Sequence, residues 1–293
     1  MRLSARDWAQ AFKQTFQSFL ADDAMGLSAQ VAFSSLLAFF PAMVFLVGLL
    51  DLIGAYDTLQ EFLAPVAPGD VLDTIDTLQQ ETSKGTSVVA FIVGAAGATW
   101  AASGAMGAVI KAVNRAYDRV ETRPFWKTRI IAIVLVALMG LVLAGLLLLV
   151  IFGGPLGTAI ADKAHLGGAF ELFWAVLRWP IAFVAILLFF GLVYYLAPNV
   201  DVRSWKWLTP GSLVGSIAWL ALSGLFALYT SYSDTYSKTY GALASGIVLL
   251  LWLNYSAFAL LFGAELNSEL ERQAEIRAAG GENAGLVKPS RRA

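Results

Sequence analysis

Six stretches of this chain stay apolar for about the length a helix needs to cross a bilayer, roughly 20 residues. They run over about 27–50, 87–109, 130–152, 173–196, 208–228 and 241–262, with polar segments between them. The pattern predicts an all-α membrane protein with six transmembrane helices. The first apolar run begins about 25 residues in and is too long for the apolar part of a cleaved signal. It also lacks a clear cleavage site, so it is expected to remain as a span.

The flanking segments carry weaker periodicities. Residues 4–20, SARDWAQAFKQTFQSFL, place Ala5, Trp8, Ala9, Phe12, Phe16 and Phe19 on one helical stripe, with Arg6, Lys13 and Gln17 off it. Two readings stay open: an amphipathic helix lying in the membrane interface, or a helix packed on the bundle. In the segment 51–86, PGDVLDTIDTLQQ repeats Val71, Leu72, Ile75 and Leu78 at helical spacing behind Asp70 as N-cap. That predicts a short helix in the first external loop. The expected organisation is an interfacial segment 1–26, a six-helix domain 27–265 and a tail 266–293. The end of the tail, AAGGENAGLVKPSRRA, is polar and Gly-rich and is expected to be disordered.

Composition narrows the function classes. Charged residues make up 14% and hydrophobic ones 58%. An ordinary soluble chain carries about 25% charged residues, so this one has too few to cover a water-facing surface. The net charge of −1 gives no reason to expect nucleic acid. The absence of cysteine excludes disulfides, thiolate metal sites and thiol catalysis. The one histidine, His165, lies in KAHLGGAF and reads as a turn residue.

The distribution of Lys and Arg sets an orientation. Of the 20, all but Lys84, Lys163, Arg178 and Lys238 fall before the first span, between spans two and three, between four and five, or after six. The alternation predicts a multi-pass protein with cytoplasmic N- and C-termini. The six cations from Lys111 to Arg129 satisfy this rule by themselves. A sharper reading adds capture of anionic headgroups by Arg115, Arg119 and Arg123.

Polar residues inside the spans are the candidate functional groups, because they are costly there and face protein or water. Asn254 and Glu265 are eleven residues apart, roughly three turns and about 16 Å along a helix, and so share a face with Phe258 and Leu261. Arg115 and Lys111 are the candidate partners for Glu265. The plainer alternative places Glu265 in the aqueous interface, continuous with Glu269 and Glu271. Gln30 and Ser34 share a face of span one, where Pro41 removes a helix hydrogen bond and predicts a bend. Gly97, Ala101 and Ala105 form one small-residue row in span two, Gly104 and Ala108 another, and Gly211 and Gly215 a pair in span five. Such rows let helix backbones approach closely. Tyr229, Tyr232, Tyr236 and Tyr240 form a stripe beyond span five, read as an aromatic belt or as a rim contacting headgroups. Arg178 and Asp51 are candidates for an external interface pair.

No G-x-S-x-G, H-E-x-x-H or P-loop occurs, and the Asp and Glu of the cytoplasmic segments are scattered. No enzyme activity, cofactor or metal is therefore expected.

Several longer motifs resemble the YihY/BrkB family of bacterial inner-membrane proteins over nearly the full length. They are VAFSSLLAFFPAM, AASGAMGAVIKAVNRAYDRVETRPFWKTR, YYLAPNVDVRSWKWLTPGSLVG, and FALYTSYSDTYSKTYGALASGIVLLLWLNYSAFALLFGAELNSEL. The family usually carries a Tyr pair where this chain has Phe33 and Ser34. The resemblance implies a six-helix plasma-membrane protein. It also brings a ribonuclease label, once ribonuclease BN, that the residues here do not support, and a suggested role in envelope or lipid transport. The expectation is a transporter or lipid-translocating protein with a polar cavity between helices. Its partners would be membrane lipids, with envelope proteins or a second copy as further candidates and no nucleic acid. The alternative is a scaffold that recruits partners through the basic loop and tail.

Overall fold

A computed structural model describes residues 5–52, 87–151, 167–200, 209–231 and 234–278, with the single positions 77 and 163. Its described residues form seven helices and no strand. These are α1 (Ala5–Ala21), α2 (Ala24–Leu52), α3 (Ser87–Ala116), α4 (Phe125–Ile151), α5 (Gly167–Leu196), α6 (Pro210–Ser231) and α7 (Asp234–Ala278). Helices α2 to α7 are long and apolar enough to cross a membrane. The protein is thus an all-α membrane protein with six spanning helices and a separate N-terminal helix. The helix expected in the first external loop, Tyr232, His165 and the end of the tail lie outside the described residues, as do the side chains of Asp51, Tyr236 and Tyr240.

The helices overrun the apolar stretches at identifiable ends. Helix α7 continues past residue 262 to Ala278, because Ala264 to Ala278 contains no Gly or Pro and is rich in Ala, Glu, Leu and Arg, all good helix formers. Helix α3 extends to Ala116 and then stops in a Schellman turn. The Arg119 N–H donates to the Asn114 carbonyl and the Asp118 N–H to the Arg115 carbonyl. Asp118 takes the left-handed conformation there, with φ 52°, where glycine is usual. Asp23, also at φ 52°, ends α1 and lets the chain turn into α2. Helix α6 opens with Pro210 at its first position behind Thr209. Thr209 and Ser212 cap each other: each backbone N–H donates to the other's hydroxyl at 3.1 Å.

The chain divides into two compact units. One comprises residues 1–25, 110–221 and 258–293, the other 26–109 and 222–257. In the first, α4 and α5 pack side by side. Helix α1 lies along the end of α7, where Ala11 clusters with Leu266 and Leu270 and is flanked by Trp8 and Val214. The Phe19 ring meets Phe258 and Phe262 at centroid distances of 4.8 and 6.0 Å. In the second unit, α3 lies tight against α2 at Gly94, beside the Val44 and Phe45 backbone. The Phe45 and Phe91 rings lie 5.5 Å apart. Trp252 donates its indole N–H to the Ser223 hydroxyl at 3.2 Å. Exposed Phe33, Phe40, Ile92, Trp100, Leu141 and Val184 give the spanning helices apolar outer surfaces, as a bilayer requires.

Candidate functional site

The buried carboxylates of the first unit gather around Glu265. This residue is only 2% exposed, and Asp22 and Glu269 are also buried. Asp22, Asp118, Glu269 and Arg115 are the charged groups close enough to act on the Glu265 carboxylate. They come from three pieces of local structure. Asp22 is held at the end of α1 by its N–H donating to the Ser18 carbonyl at 2.8 Å. Arg115 and Asp118 belong to the last turn of α3 and its Schellman cap. Glu269 sits one turn beyond Glu265 on α7, so the two share a helix face.

The pairing within this cluster is specific. Arg115, itself 58% exposed, reaches inward to Asp22 at 3.2 Å. Glu269 accepts the Ser18 hydroxyl at 3.0 Å and Arg272 Nε at 3.1 Å. Four carboxylates are thus set against two guanidiniums, with Glu265 the most buried of them. Gln273 donates to Gln14 at 3.0 Å and adds a further tie between α1 and α7. Burial removes Glu265 from the solvated surface that the plainer sequence reading gave it. Arg115 stands nearby, as expected, but its ion pair is with Asp22, a residue sequence reasoning left aside. Lys111 is exposed.

Next to this cluster α6 and α7 meet at near-contact distance. A Cβ on Gly211 would lie 2.5 Å from Asn267 Cγ. One on Gly215 would lie 2.8 Å from the Tyr194 hydroxyl oxygen, and one on Gly263 2.5 Å from the Gly211 carbonyl. Only glycine fits at such a crossing. Tyr194 donates its hydroxyl to the Leu260 carbonyl at 2.7 Å, tying α5 to α7. Asn267 uses both ends of its amide on the start of α6. Its oxygen accepts the Gly211 N–H at 2.8 Å, and its nitrogen donates to the Thr209 hydroxyl at 2.9 Å. A free helix N-terminus is thereby capped by a side chain 56 residues away. Tyr117 also reaches Asn267. Shielding from water and the nearby Glu271 carboxylate raise its ionisation well above the ordinary value for a phenol, so it stays protonated.

A second polar knot joins the loop after α3 to the turn after α5. Its hub is Asn114, which is buried. The Asn114 amide accepts the Asn199 N–H at 2.7 Å and donates to Glu121 at 2.8 Å. Asn199 in turn donates to the Val120 carbonyl and the Thr122 hydroxyl. Arg123 binds Glu121 and donates to the Leu196 and Ala197 carbonyls at the end of α5. The Arg123 guanidinium holds the Glu121 carboxyl below the usual carboxylate range. With its side chain only 6% exposed, Arg123 serves this clamp rather than an open headgroup site. Arg119 is exposed.

The remaining candidates are scattered. Gln30 and Gly104 are exposed, Ser34 and Asn254 half-buried. A Cβ on Gly97 would meet only Pro41 Cβ, at an ordinary 3.9 Å. Tyr229 is exposed, and Arg178 lies over the Trp179 ring at 5.6 Å. Sequence reasoning missed Asn114, Glu121, Tyr194, Asn199, Thr209 and Asn267 as site builders. Their one sequence signal was that several stand in the motifs carrying the family resemblance.

Six helices long and apolar enough to span, with buried charge and two polar knots within the first unit, define an integral membrane protein. The profile of the family described as "Virulence factor BrkB" matches residues 15–285, and the chain belongs to that family. It is 28% identical over 265 residues to a Bacillus subtilis protein named YfkH and described as ribonuclease-like, covering 90% of this chain and 96% of the relative. It is 33% identical over 93 residues, 32% of each chain, to a UPF0761 membrane protein of Idiomarina loihiensis. A UPF0761 membrane protein of Laribacter hongkongensis is 40% identical over 78 residues, 27% of this chain and 18% of the relative. No solved structure matches the chain.

Proposed function

We propose that the chain is a transporter of the bacterial inner membrane that moves lipids or similar amphiphiles. The buried charge cluster around Glu265 would work at its cytoplasmic end. The supporting observation is the burial of Glu265 within a spanning helix among Asp22, Asp118, Glu269 and Arg115. Ionisable groups are costly at such positions and commonly mark ion or substrate paths. The cluster is held by contacts from α1, α3 and α7, so movement of any one of these helices changes the charge balance at Glu265. The reading assigns no hydrolytic chemistry and no ribonuclease step. Two of the carboxylates, Asp22 and Glu269, are taken up by Arg115, Arg272 and Ser18.

The test is transbilayer exchange of a fluorescent phosphatidylglycerol in liposomes reconstituted with the purified protein. The wild type should accelerate exchange over protein-free liposomes. Glu265→Gln should lower the rate several-fold while the purified protein keeps its helical content and monodispersity. No acceleration by the wild type, or equal rates for Glu265→Gln and Glu265→Ala variants and wild type, would overturn the reading.

A second reading is a scaffold without transport, favoured by the close contacts at Gly211, Gly215 and Gly263, which suit a permanently packed interior. It gains if removing residues 279–293 abolishes partner capture from membranes and the wild type leaves lipid exchange unchanged.

A further inference from the structure

We infer that α1 is a membrane-surface helix, with the phospholipid headgroup–acyl boundary as the partner of its outer apolar stripe. The inference is independent of whether the chain transports anything.

The stripe foreseen from the sequence is split in two by the structure. Ala11, Thr15 and Phe19 recur every four residues and are buried, Ala11 and Phe19 against α7. Phe12, Phe16 and Leu20, one position later in each repeat, are 40%, 58% and 50% exposed. Lys13 and Gln17, one position later again, are exposed and polar, as is Gln10 beside them. At about 100° per residue the packed and the apolar stripe each cover roughly 80° of the helix and the polar one roughly 60°, and the three follow one another around it. The order is packed, apolar and exposed, then polar. A helix at a lipid–water boundary beside a protein needs these three surfaces in this order: one for the bundle, one for lipid, one for water.

Two further observations identify lipid as the occupant. Helix α2, which begins at Ala24, is a spanning helix from its first residue, only a short turn after Ala21. Met25 at its start is an exposed apolar side chain, at 54%. Lys13 borders the stripe, where a flexible cationic side chain reaches headgroup phosphates while the rings sit among acyl chains. Helix α1 itself, with 17 residues, is too short and too polar to span. Its packed side carries Ser18 and Asp22 into the contacts with Glu269 and Arg115. The helix therefore connects the membrane surface to the charge cluster.

The chain contains no cysteine, so single cysteines can be introduced for labelling without other changes. Full-length protein carrying Phe12→Cys, Phe16→Cys or Leu20→Cys, and separately Gln10→Cys, Lys13→Cys or Gln17→Cys, is nitroxide-labelled in phosphatidylcholine/phosphatidylglycerol nanodiscs. Collision with oxygen reads lipid exposure, and collision with a water-soluble nickel chelate reads water exposure. The oxygen-to-nickel ratio should be several-fold higher at 12, 16 and 20 than at 10, 13 and 17. Equal ratios at all six positions would overturn the inference. So would labels at 12, 16 and 20 screened from both reagents, because a second copy or another protein would then cover the stripe.

Discussion

The two compact units achieve helix packing by different means. In the unit of residues 26–109 and 222–257, aromatic and aliphatic contacts prevail. Phe45 meets Phe91, Phe226 meets Tyr255, and Gly94 lets α2 approach α3. In the unit of residues 1–25, 110–221 and 258–293, glycine crossings are combined with buried amides, carboxylates and guanidiniums that bond across long stretches of chain. Lipid is as apolar as leucine and gives spanning helices no hydrophobic reason to associate. Apolar contacts can keep neighbours together, but buried polar groups add a penalty for every arrangement that leaves them unpaired. The second device specifies one geometry, and it is found in the unit that holds the charge cluster.

Substitutions that act unequally on the two units test this contrast. The largest effect is expected at the α6–α7 crossing. Gly211→Val would drive a side chain into Asn267 and the Gly263 backbone and should cost about 3 kcal/mol or more. The check is loss of the monodisperse species on size exclusion in detergent. Next, Asn114→Leu strands the Asn199 N–H and takes one donor from a Glu121 oxygen that keeps Arg123. It should cost about 2–3 kcal/mol, read as a lowered midpoint in thermal unfolding followed by tryptophan fluorescence. Tyr194→Phe removes the bond to the Leu260 carbonyl but keeps the ring between the glycines, so the expected loss is about 1 kcal/mol. Gly97→Ala in the other unit meets only an ordinary contact and should stay within about 0.5 kcal/mol of wild type. A Gly97→Ala loss as large as that of Gly211→Val would dissolve the contrast.

The smallest difference concerns pH. The Glu121 carboxyl is held below its ordinary range by Arg123, so folding favours its ionised form. Its stabilising contribution is complete above the unfolded-state value and fades as pH falls through the lower native value. Glu121→Gln should therefore be slightly less stable than wild type at neutral pH. The gap should close in acid, as melting midpoints of the two proteins measured across that range would show. A gap that widens in acid would mean that the clamp does not rest on the ionised carboxylate.

The legibility of the candidate site in the sequence was uneven. Glu265 could be singled out because a carboxylate within an apolar helix breaks a strong local pattern. Gly211 and Gly215 could be recognised as a close-packing pair from spacing alone. The same spacing argument at Gly97 and Gly104 led to an ordinary contact and an exposed position, because a small-residue row states that approach is possible and says nothing of which helix arrives. Asn114 and Asn267 stood within the long family motifs, but no periodicity marked them as buried hubs. Each acquires its role from a partner far along the chain, 85 residues away for Asn114 and Asn199.

The number of spanning helices and the presence of an amphipathic N-terminal helix were settled by the sequence alone. Both depend on local properties, run length and 3.6-residue periodicity, that the solvent reads segment by segment. Only the tertiary structure decided that Arg115 turns to Asp22, that Glu265 is enclosed, and that Phe19 faces protein while Phe16 faces outward. Those outcomes depend on which helices become neighbours. In a chain whose helices are nearly all apolar, that choice is made by a few long-range polar bonds and glycine contacts with no local signature.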